Sequence, residues 1–126
     1  MEAARLLVKD IEEVLADLEG SALELSEKYN CVTVLKTHNT FFCAPDGRKY
    51  TNTTGNNALA KAGSGDVLTG MISGLVAQGM DLFEGACVAV YLHGLCADIK
   101  AKEFTQYSVM AQDLIDAIPL AIKTLL

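Results

Sequence analysis

The sequence predicts an α/β fold, in which helices cover the faces of a sheet, and three observations support that class. A helix-periodic segment leads directly into Cys31-Val32-Thr33-Val34-Leu35, a continuous run typical of a strand buried in a parallel sheet. A glycine-rich turn at residues 62–65 opens another apolar-periodic helix. Residues 82–101 are apolar on nearly all sides, which predicts a central buried helix. A helix that feeds a buried strand is the repeating unit of doubly wound α/β folds.

Two helices are predicted before the first strand. Asp10 is followed three residues later by Glu13, and this spacing of a capping box predicts the start of a short helix. Apolar side chains then recur at helical spacing along a second helix: Leu18, Ala22, Leu25 and Tyr29. Asn30 is expected to end that helix just before the strand.

A β-hairpin is predicted after the first strand. Residues 40–44 and 48–51 flank Pro45-Asp46-Gly47, where proline presets one turn dihedral angle and glycine tolerates a positive φ. Residues 52–57 are polar and follow neither the helical nor the strand period. They are predicted to form a loop that leads into the glycine-rich turn.

The rest of the chain predicts three helices, of which the central one is the buried helix already described. The apolar side chains after the glycine-rich turn fall on one face of a helix that ends near Gly79. Gly70 and Gly74 are four residues apart in it, and we interpret them as small residues that let the helix pack closely on a neighbour. A final helix covers roughly residues 109–126, and Pro119 is expected to kink or restart it.

Composition narrows the possible functions. The chain has 126 residues and 51% hydrophobic content, which is enough for a folded core. Its net charge of -6 and its lack of Lys or Arg clusters argue against a nucleic-acid partner. The apolar run around residues 86–92 is too short to span a membrane, and the N-terminus lacks the layout of a signal peptide. We therefore expect no membrane partner, a cytoplasmic location and four reduced, buried cysteines.

The segment Ala62-Gly63-Ser64-Gly65-Asp66 carries the clearest functional signal. Backbone N–H groups in the first turn of a helix lack intrahelical partners and, with the helix dipole, attract an anion such as phosphate. The glycines let the main chain approach that anion closely. Asp66 could cap the helix or face a bound substrate and take a proton from its hydroxyl group. The structural alternative is an ordinary glycine turn before a helix with an acidic first turn.

Three polar residues outside this segment are also candidates. His38 lies in a loop after the first strand and is expected to be solvated. His93 lies in the apolar helix, and we expect a hydrogen-bonded core histidine there rather than a ligand. Asp98, one turn further along, is interpreted as either orienting His93 or facing water.

Several ordered blocks of the sequence resemble one family. They are Val34-Leu35-Lys36 with Thr40, Pro45-Asp46-Gly47, Asn52-Thr53-Thr54-Gly55-Asn56, the segment from Ala62 to Gly70, Ala77-Gln78-Gly79, and Tyr91-Leu92-His93-Gly94 with Asp98. Through them, residues 32–118, and more loosely the chain from Glu2, resemble the carboxyl-terminal half of the ADP/ATP-dependent NAD(P)H-hydrate dehydratases, of the ribokinase-like superfamily. The resemblance implies an α/β fold of three α/β/α layers, of which residues 1–126 form a single partial domain.

The resemblance also implies a repair reaction. ATP or ADP, with Mg²⁺, phosphorylates the C6 hydroxyl group of hydrated NAD(P)H, and loss of phosphate then restores the nicotinamide ring. Asp66 matches the position that contacts the hydrated nicotinamide and acts as the general base. The nucleotide-binding positions that it implies are Lys36, Thr40, Asn56, Ala62, Gly63, Ser64 and Gly65.

The match covers less than half of a complete family domain. An intact enzyme is therefore expected to need further strands, from a longer chain or from a partner. Because a half-domain leaves a sheet edge and an apolar face uncovered, we expect a homo-oligomer or marginal stability. Two alternatives stay open: a sugar or vitamin-precursor kinase of the same superfamily, and a catalytically silent fragment that binds nucleotide weakly. The Asn-Thr-x-Gly-Asn and Val-Leu-Thr-Gly blocks argue against the kinase.

Overall fold

The computed structural model describes residues 2–37 and 39–126. The expectation for His38 therefore falls outside the described residues. The chain forms two compact units, Met1–Asn52 and Thr53–Leu126. Among the described residues, the first unit combines helices with a small sheet and the second is built from helices.

In the first unit, three helices precede a three-stranded antiparallel sheet. The elements are α1 (Glu2–Leu7), α2 (Ile11–Ala16), α3 (Leu18–Tyr29), β1 (Thr33–Leu35), β2 (Phe41–Cys43) and β3 (Lys49–Thr51). The strand order is β1-β2-β3, with Leu35 opposite Phe41 and Phe41 opposite Thr51. The core between helices and sheet includes the fully buried Val14 and Ala22.

Local sequence signals predicted α2, α3 and the hairpin of this unit, whereas the short helix α1 was not predicted. The N–H of Asp10 donates to the Glu13 carboxylate at 3.1 Å, as the capping box requires. Helix α3 ends at Asn30, whose φ of 48° and N–H bond back into the helix confirm the predicted stop. In the hairpin, Gly47 has a φ of 90° and its N–H donates to the carbonyl of Ala44 at 3.0 Å. These turns depend on neighbouring residues alone, which explains why the sequence predicts them.

The described residues do not contain the parallel neighbour that residues 31–35 predict. Strand β1 pairs with β2 in the antiparallel direction and forms an edge of the described sheet. Thr33 and Leu35 are nevertheless buried and Val34 is half-buried. A β-branched run specifies a strand with covered faces, whereas the direction of its partner depends on which distant segment pairs with it.

The second unit begins with a 3₁₀ turn and continues with three long helices. The elements are the 3₁₀ turn (Asn57–Leu59), α4 (Ser64–Ala77), α5 (Leu82–Phe104) and α6 (Ala111–Leu125). Helix α5 packs against both α4 and α6. Helix α5 lies at the centre of a hydrophobic core that contains the fully buried Cys96, Ala97 and Ala117.

Helix α5 is the central buried helix that the sequence predicts, and it is longer than expected. It has 23 residues and a mean hydropathy of 1.4 in its most apolar window, so it has the length and composition of a membrane-crossing helix. However, 56% of that window is buried inside the protein. The core helix of a folded domain has the same properties, so they are weak evidence for a membrane.

Two details of α4 differ from the prediction. The helix begins at Ser64, so its first turn overlaps the glycine-rich segment. Gly70 and Gly74 are exposed, and a Cβ atom built on either would meet nothing within 4 Å. Within the described residues these glycines are therefore not a packing device, since the face that carries them is uncovered.

Helix α6 continues through Pro119 and does not restart there, contrary to one of the two outcomes expected. Proline removes one backbone hydrogen bond from a helix interior. The fully buried Ala117 and Ala121 on either side hold the helix against the core. Burial of this face therefore offsets the cost of the proline ring.

The cysteines do not all share the predicted burial. Cys43 and Cys96 are buried and Cys87 is half-buried, but Cys31 is exposed. Cys31 stands before the first residue of β1 and directly after the cap of α3, so its side chain lies outside the buried part of the run. All four are free thiols, as expected.

Candidate phosphate-binding site

The glycine-rich turn forms the N-terminus of α4 in the second unit. Gly63 is the N-cap residue and has a φ of 87°, a left-handed conformation in which a side chain is strained. The N–H of Val67 donates to the carbonyl of Gly63 at 3.1 Å and closes the first helical turn. The N–H groups of Gly65 and Asp66 belong to that first turn, in which backbone N–H groups have no acceptor within the helix. The backbone therefore has the form of an anion-binding helix N-terminus.

The Asp66 carboxylate stands beside this turn and is exposed. It lines one part of a cavity of about 580 Å³, whose other walls are largely apolar side chains of α4 and α6. No ion pair among residues 2–37 and 39–126 involves Asp66. The carboxylate is thus exposed beside the cavity rather than held in an internal ion pair.

Lys61 lies two residues before Gly63, but its ammonium group has other partners. The Nζ atom donates to the carbonyl groups of Tyr107 at 2.8 Å and Val109 at 2.5 Å. Both belong to the connection between α5 and α6. Lys61 therefore fastens that connection to the segment before the glycine-rich turn.

The Asn56 side chain is held by two internal hydrogen bonds. Its Oδ1 atom accepts from the N–H of Ala58 and its Nδ2 atom donates to Asp98 Oδ1, both at 2.9 Å. The other carboxylate oxygen of Asp98 accepts from the N–H of Gly55 at 2.9 Å. Asp98 thus neither orients His93 nor merely faces water, and both expectations for it were wrong. The sequence signal that could have indicated this contact is Asp98 itself, which lies one helical turn after Gly94 in an otherwise apolar helix.

His93 is a buried, hydrogen-bonded histidine, as predicted. Its Nε2 atom lies 2.9 Å from the carbonyl oxygen of Ser64 and 3.2 Å from the Ser64 hydroxyl oxygen. Since a carbonyl oxygen only accepts, Nε2 carries a proton. The partner is the first residue of α4, so this core histidine contacts the glycine-rich turn directly.

The predicted site residues divide between the two units. Asn56, Asp66 and the segment Ala62–Gly65 belong to the second unit, where α5 contacts both Asn56 and Ser64. Lys36 and Thr40 belong to the first unit. Lys36 is exposed after β1, and the Thr40 carbonyl accepts from the N–H of Asn52 at 2.9 Å.

Comparison with known proteins identifies the family. A profile described as NAD(P)H-hydrate dehydratase matches residues 1–120. The chain belongs to the NAD(P)H-hydrate dehydratase family. It is 41% identical over 124 residues to the bifunctional NAD(P)H-hydrate repair enzyme of Thermofilum pendens, covering 98% of this chain and 24% of that protein. It is 45% identical over 98 residues to the ADP-dependent (S)-NAD(P)H-hydrate dehydratase of Neisseria meningitidis, covering 78% of this chain and 33% of that protein.

Solved structures of the family confirm the ribokinase-like α/β fold. One is the ADP/ATP-dependent NAD(P)H-hydrate dehydratase of Bacillus subtilis, co-crystallized with ATP/Mg²⁺ and soaked with CoA. It matches with a TM-score of 0.90 and 36% identity over 96% of this chain and 45% of that chain. A ribokinase-like superfamily protein of Enterococcus faecalis matches with a TM-score of 0.71 and 34% identity, covering 84% of this chain and 36% of that chain. This member of the NAD(P)H-hydrate dehydratase family thus spans less than half of its solved relatives and about a quarter to a third of the two curated ones.

Proposed function

We propose that this chain provides the phosphate-binding turn and the general base of an ADP/ATP-dependent NAD(P)H-hydrate dehydratase. The observation that carries the proposal is the exposed Asp66 carboxylate at the glycine-rich N-terminus of α4. Membership in the NAD(P)H-hydrate dehydratase family supports hydrated NAD(P)H as the substrate. It favours this reaction over phosphorylation of a sugar or a vitamin precursor.

The proposed chemistry begins with proton transfer to Asp66. The C6 hydroxyl oxygen of the hydrated nicotinamide attacks the terminal phosphorus of ATP or ADP, while the carboxylate takes the hydroxyl proton. The bond from that phosphorus to the nucleotide breaks, which releases ADP or AMP. Phosphate then leaves with the electrons of the C6–O bond, and loss of a proton from the adjacent ring carbon restores the double bond.

The role of the glycine-rich turn is to hold the nucleotide phosphates. Backbone N–H groups at residues 62–65 would face the negative phosphate oxygens, and the positive end of the α4 dipole would stabilise their charge. Because the Asn56 side chain is already used twice, a nucleotide contact there would be made by its backbone. Lys36 and Thr40 of the first unit are proposed as further nucleotide contacts.

Magnesium would be held chiefly by the nucleotide. Residues 2–37 and 39–126 contain no group of three or more His, Cys, Asp or Glu side chains able to hold a metal ion. Protein sites for Mg²⁺ commonly combine substrate phosphates, waters and only one or two carboxylates. When bound in this way, the ion would offset charge on the phosphate oxygens.

We also propose that the apolar surface of the second unit is covered in the active protein. Ile115 and Ile122 are 44% and 41% exposed beside the cavity that Asp66 lines. Large exposed apolar patches are uncommon on isolated domains. A second copy or the remainder of a family domain would cover these side chains.

We further propose that the protein acts in the cytoplasm and that its ligands are small nucleotides.

The decisive experiment supplies hydrated NADH with ATP or ADP and follows the return of absorbance at the reduced-nicotinamide band. It is run with this chain and with a longer chain that includes the remainder of a family domain. We expect recovery that depends on nucleotide and on Asp66. Recovery only with the longer chain would mean that these residues supply part of the site. Lack of recovery with both chains would contradict the proposed function.

A further inference from the structure

We propose that His93 and Asp98, both on α5, are positioning residues that hold the two ends of the candidate phosphate loop, residues 54–66. This inference rests on the proposed function, which gives the loop its ligand but assigns no role to either side chain. Helix α5 is the buried core helix of the second unit, so it offers a rigid surface against which a loop can be set.

Asp98 holds the beginning of the loop with both carboxylate oxygens. Oδ2 accepts from the backbone N–H of Gly55 and Oδ1 accepts from the Asn56 side chain, each at 2.9 Å. One carboxylate thereby fixes two consecutive residues, one of them through its main chain. Hydrogen bonds to a charged acceptor are stronger than those between neutral groups. Asn56 in turn fixes the start of the 3₁₀ turn, because its Oδ1 atom accepts from the N–H of Ala58.

The backbone of the loop lies directly on the helix at this end. The Thr54 hydroxyl group donates to the carbonyl of Tyr91 at 2.8 Å. A Cβ atom on Gly94 would lie 2.6 Å from the Thr54 carbonyl carbon, so only glycine allows this approach. Gly55 itself adopts a φ of 105°. The loop start is therefore held on α5 in two ways, by the close backbone contact at Gly94 and by the Asp98 carboxylate.

His93 holds the far end of the loop. His93 is 3% exposed and Ser64 is 1% exposed, and the His93 Nε2 atom lies within hydrogen-bond distance of both the carbonyl and the hydroxyl oxygen of Ser64. Ser64 is the first residue of α4 and stands directly before Gly65 and Asp66. A change at His93 would therefore move the proposed phosphate-binding amides and the proposed base together.

These contacts explain how an exposed loop could keep the same conformation without ligand. Between the two ends, residues 57–63 need only close a short connection whose endpoints α5 has already set. A phosphate group would then meet amides that are already oriented, and less ordering would be needed on binding. Neither His93 nor Asp98 touches the reacting atoms in this arrangement.

The test uses four variants of the 126-residue chain. Asp98→Ala removes both acceptors at the loop start, and His93→Phe removes the donor at its end while keeping an aromatic ring. His93→Gln keeps an N–H donor of similar reach and should restore most of the effect. Asp116→Ala removes the same charge as Asp98→Ala from an exposed position on α6 and serves as the control.

Two measurements are made on each variant: amide hydrogen exchange of residues 54–66, and ADP affinity by calorimetry. We expect Asp98→Ala and His93→Phe to speed loop exchange by about tenfold or more, as the loss of one or two hydrogen bonds implies. ADP affinity should fall by a similar factor of about ten. Exchange in the rest of α5 should change little, and His93→Gln and Asp116→Ala should resemble the parent.

The outcomes separate this inference from the proposed function. Loop exchange and ADP affinity that are unchanged in both Asp98→Ala and His93→Phe would overturn the positioning roles. Faster exchange throughout the second unit would overturn them as well, because it would indicate a general structural role. If the parent chain does not bind ADP, these residues do not form the phosphate-binding site by themselves, and the exchange data still decide whether the two side chains hold the loop.

Discussion

Gly94 lies so close to Thr54 that a Cβ atom built on it would come within 2.2 Å of the Thr54 hydroxyl oxygen. The loop that leads to the glycine-rich turn thus rests on α5 with no room for a side chain between them. We expect Gly94→Ala to displace this loop and to lower the free energy of unfolding by about 1–3 kcal/mol.

Urea denaturation measures this loss, and Gly85→Ala in the same helix is the matched control. A Cβ atom on Gly85 would lie 3.1 Å from Val76 Cγ2 and 3.7 Å from Met80 Cγ, which are side-chain and not backbone atoms. That variant should stay within about 1 kcal/mol of the parent. Equal stability of the two variants would show that the Thr54 backbone yields easily.

Asp66→Asn tests the proposed general base. The amide cannot take the hydroxyl proton, so the rate of hydrate dehydration should fall by about 10²–10⁴. Affinity for ADP should change by less than about threefold, because the phosphate-binding amides remain. Steady-state kinetics and calorimetry provide the two numbers. Asp116→Asn, an exposed aspartate on α6, controls for the lost charge, and a normal rate for Asp66→Asn would exclude the proposed role.

Gly63→Ala should damage both stability and nucleotide binding. The residue has a φ of 87°, and a Cβ atom would lie 3.1 Å from Ala111 Cβ. The left-handed conformation alone costs about 1–2 kcal/mol for a residue with a side chain. Gly70→Ala is the contrasting control, because open space and helical geometry there should raise stability by about 0.5–1 kcal/mol. Thermal unfolding compares them, and a stabilised Gly63→Ala would disprove the requirement for glycine.

The thiols should differ in reactivity. Burial raises the pKa of Cys96 to about 11, whereas Cys31 is exposed. A chromogenic disulfide reagent at about pH 8 should modify Cys31 in the folded protein and Cys96 only after unfolding. Mass spectrometry of the modified peptides gives the order, and early labelling of Cys96 would show that the helical core opens readily.

The same burial makes stability depend on alkaline pH. The folded state keeps the Cys96 proton up to about pH 11, while the unfolded thiol loses it near its ordinary pKa of 9.0. Between those values the folded state binds more protons, so its stability falls as pH rises. Urea denaturation of the parent and of Cys96→Ala isolates this effect. Parallel pH profiles for the two proteins would contradict it.

The exposed apolar face should drive self-association of the chain studied alone. Ile115 and Ile122 lie on α6 beside the cavity and are each more than 40% exposed. Sedimentation velocity over a range of concentrations should show species larger than 13.5 kDa. The double variant Ile115→Ser, Ile122→Ser should shift the distribution toward the monomer. A parent chain that stays monomeric at every concentration would refute the prediction.

Much of the fold was predictable because its signals are local. The capping box at Asp10, the stop at Asn30 and the turn at Gly47 each depend on a few adjacent residues. The direction in which β1 pairs was not predictable, since the sequence of a strand does not determine which distant segment pairs with it. The absence of a neighbour against Gly70 in the described residues was not predictable either, because a small residue in a helix does not reveal what covers it.

The sequence by itself determined the glycine turn, the aspartate that follows it and the helix that they begin, because backbone freedom and unpaired helix amides arise within a few residues. It also carried enough ordered blocks to indicate the family. Only the tertiary structure decided that Asp98 and His93 hold the two ends of the loop. These contacts join residues 43 and 29 positions apart, and they exist only because a buried helix places its polar side chains against a distant loop.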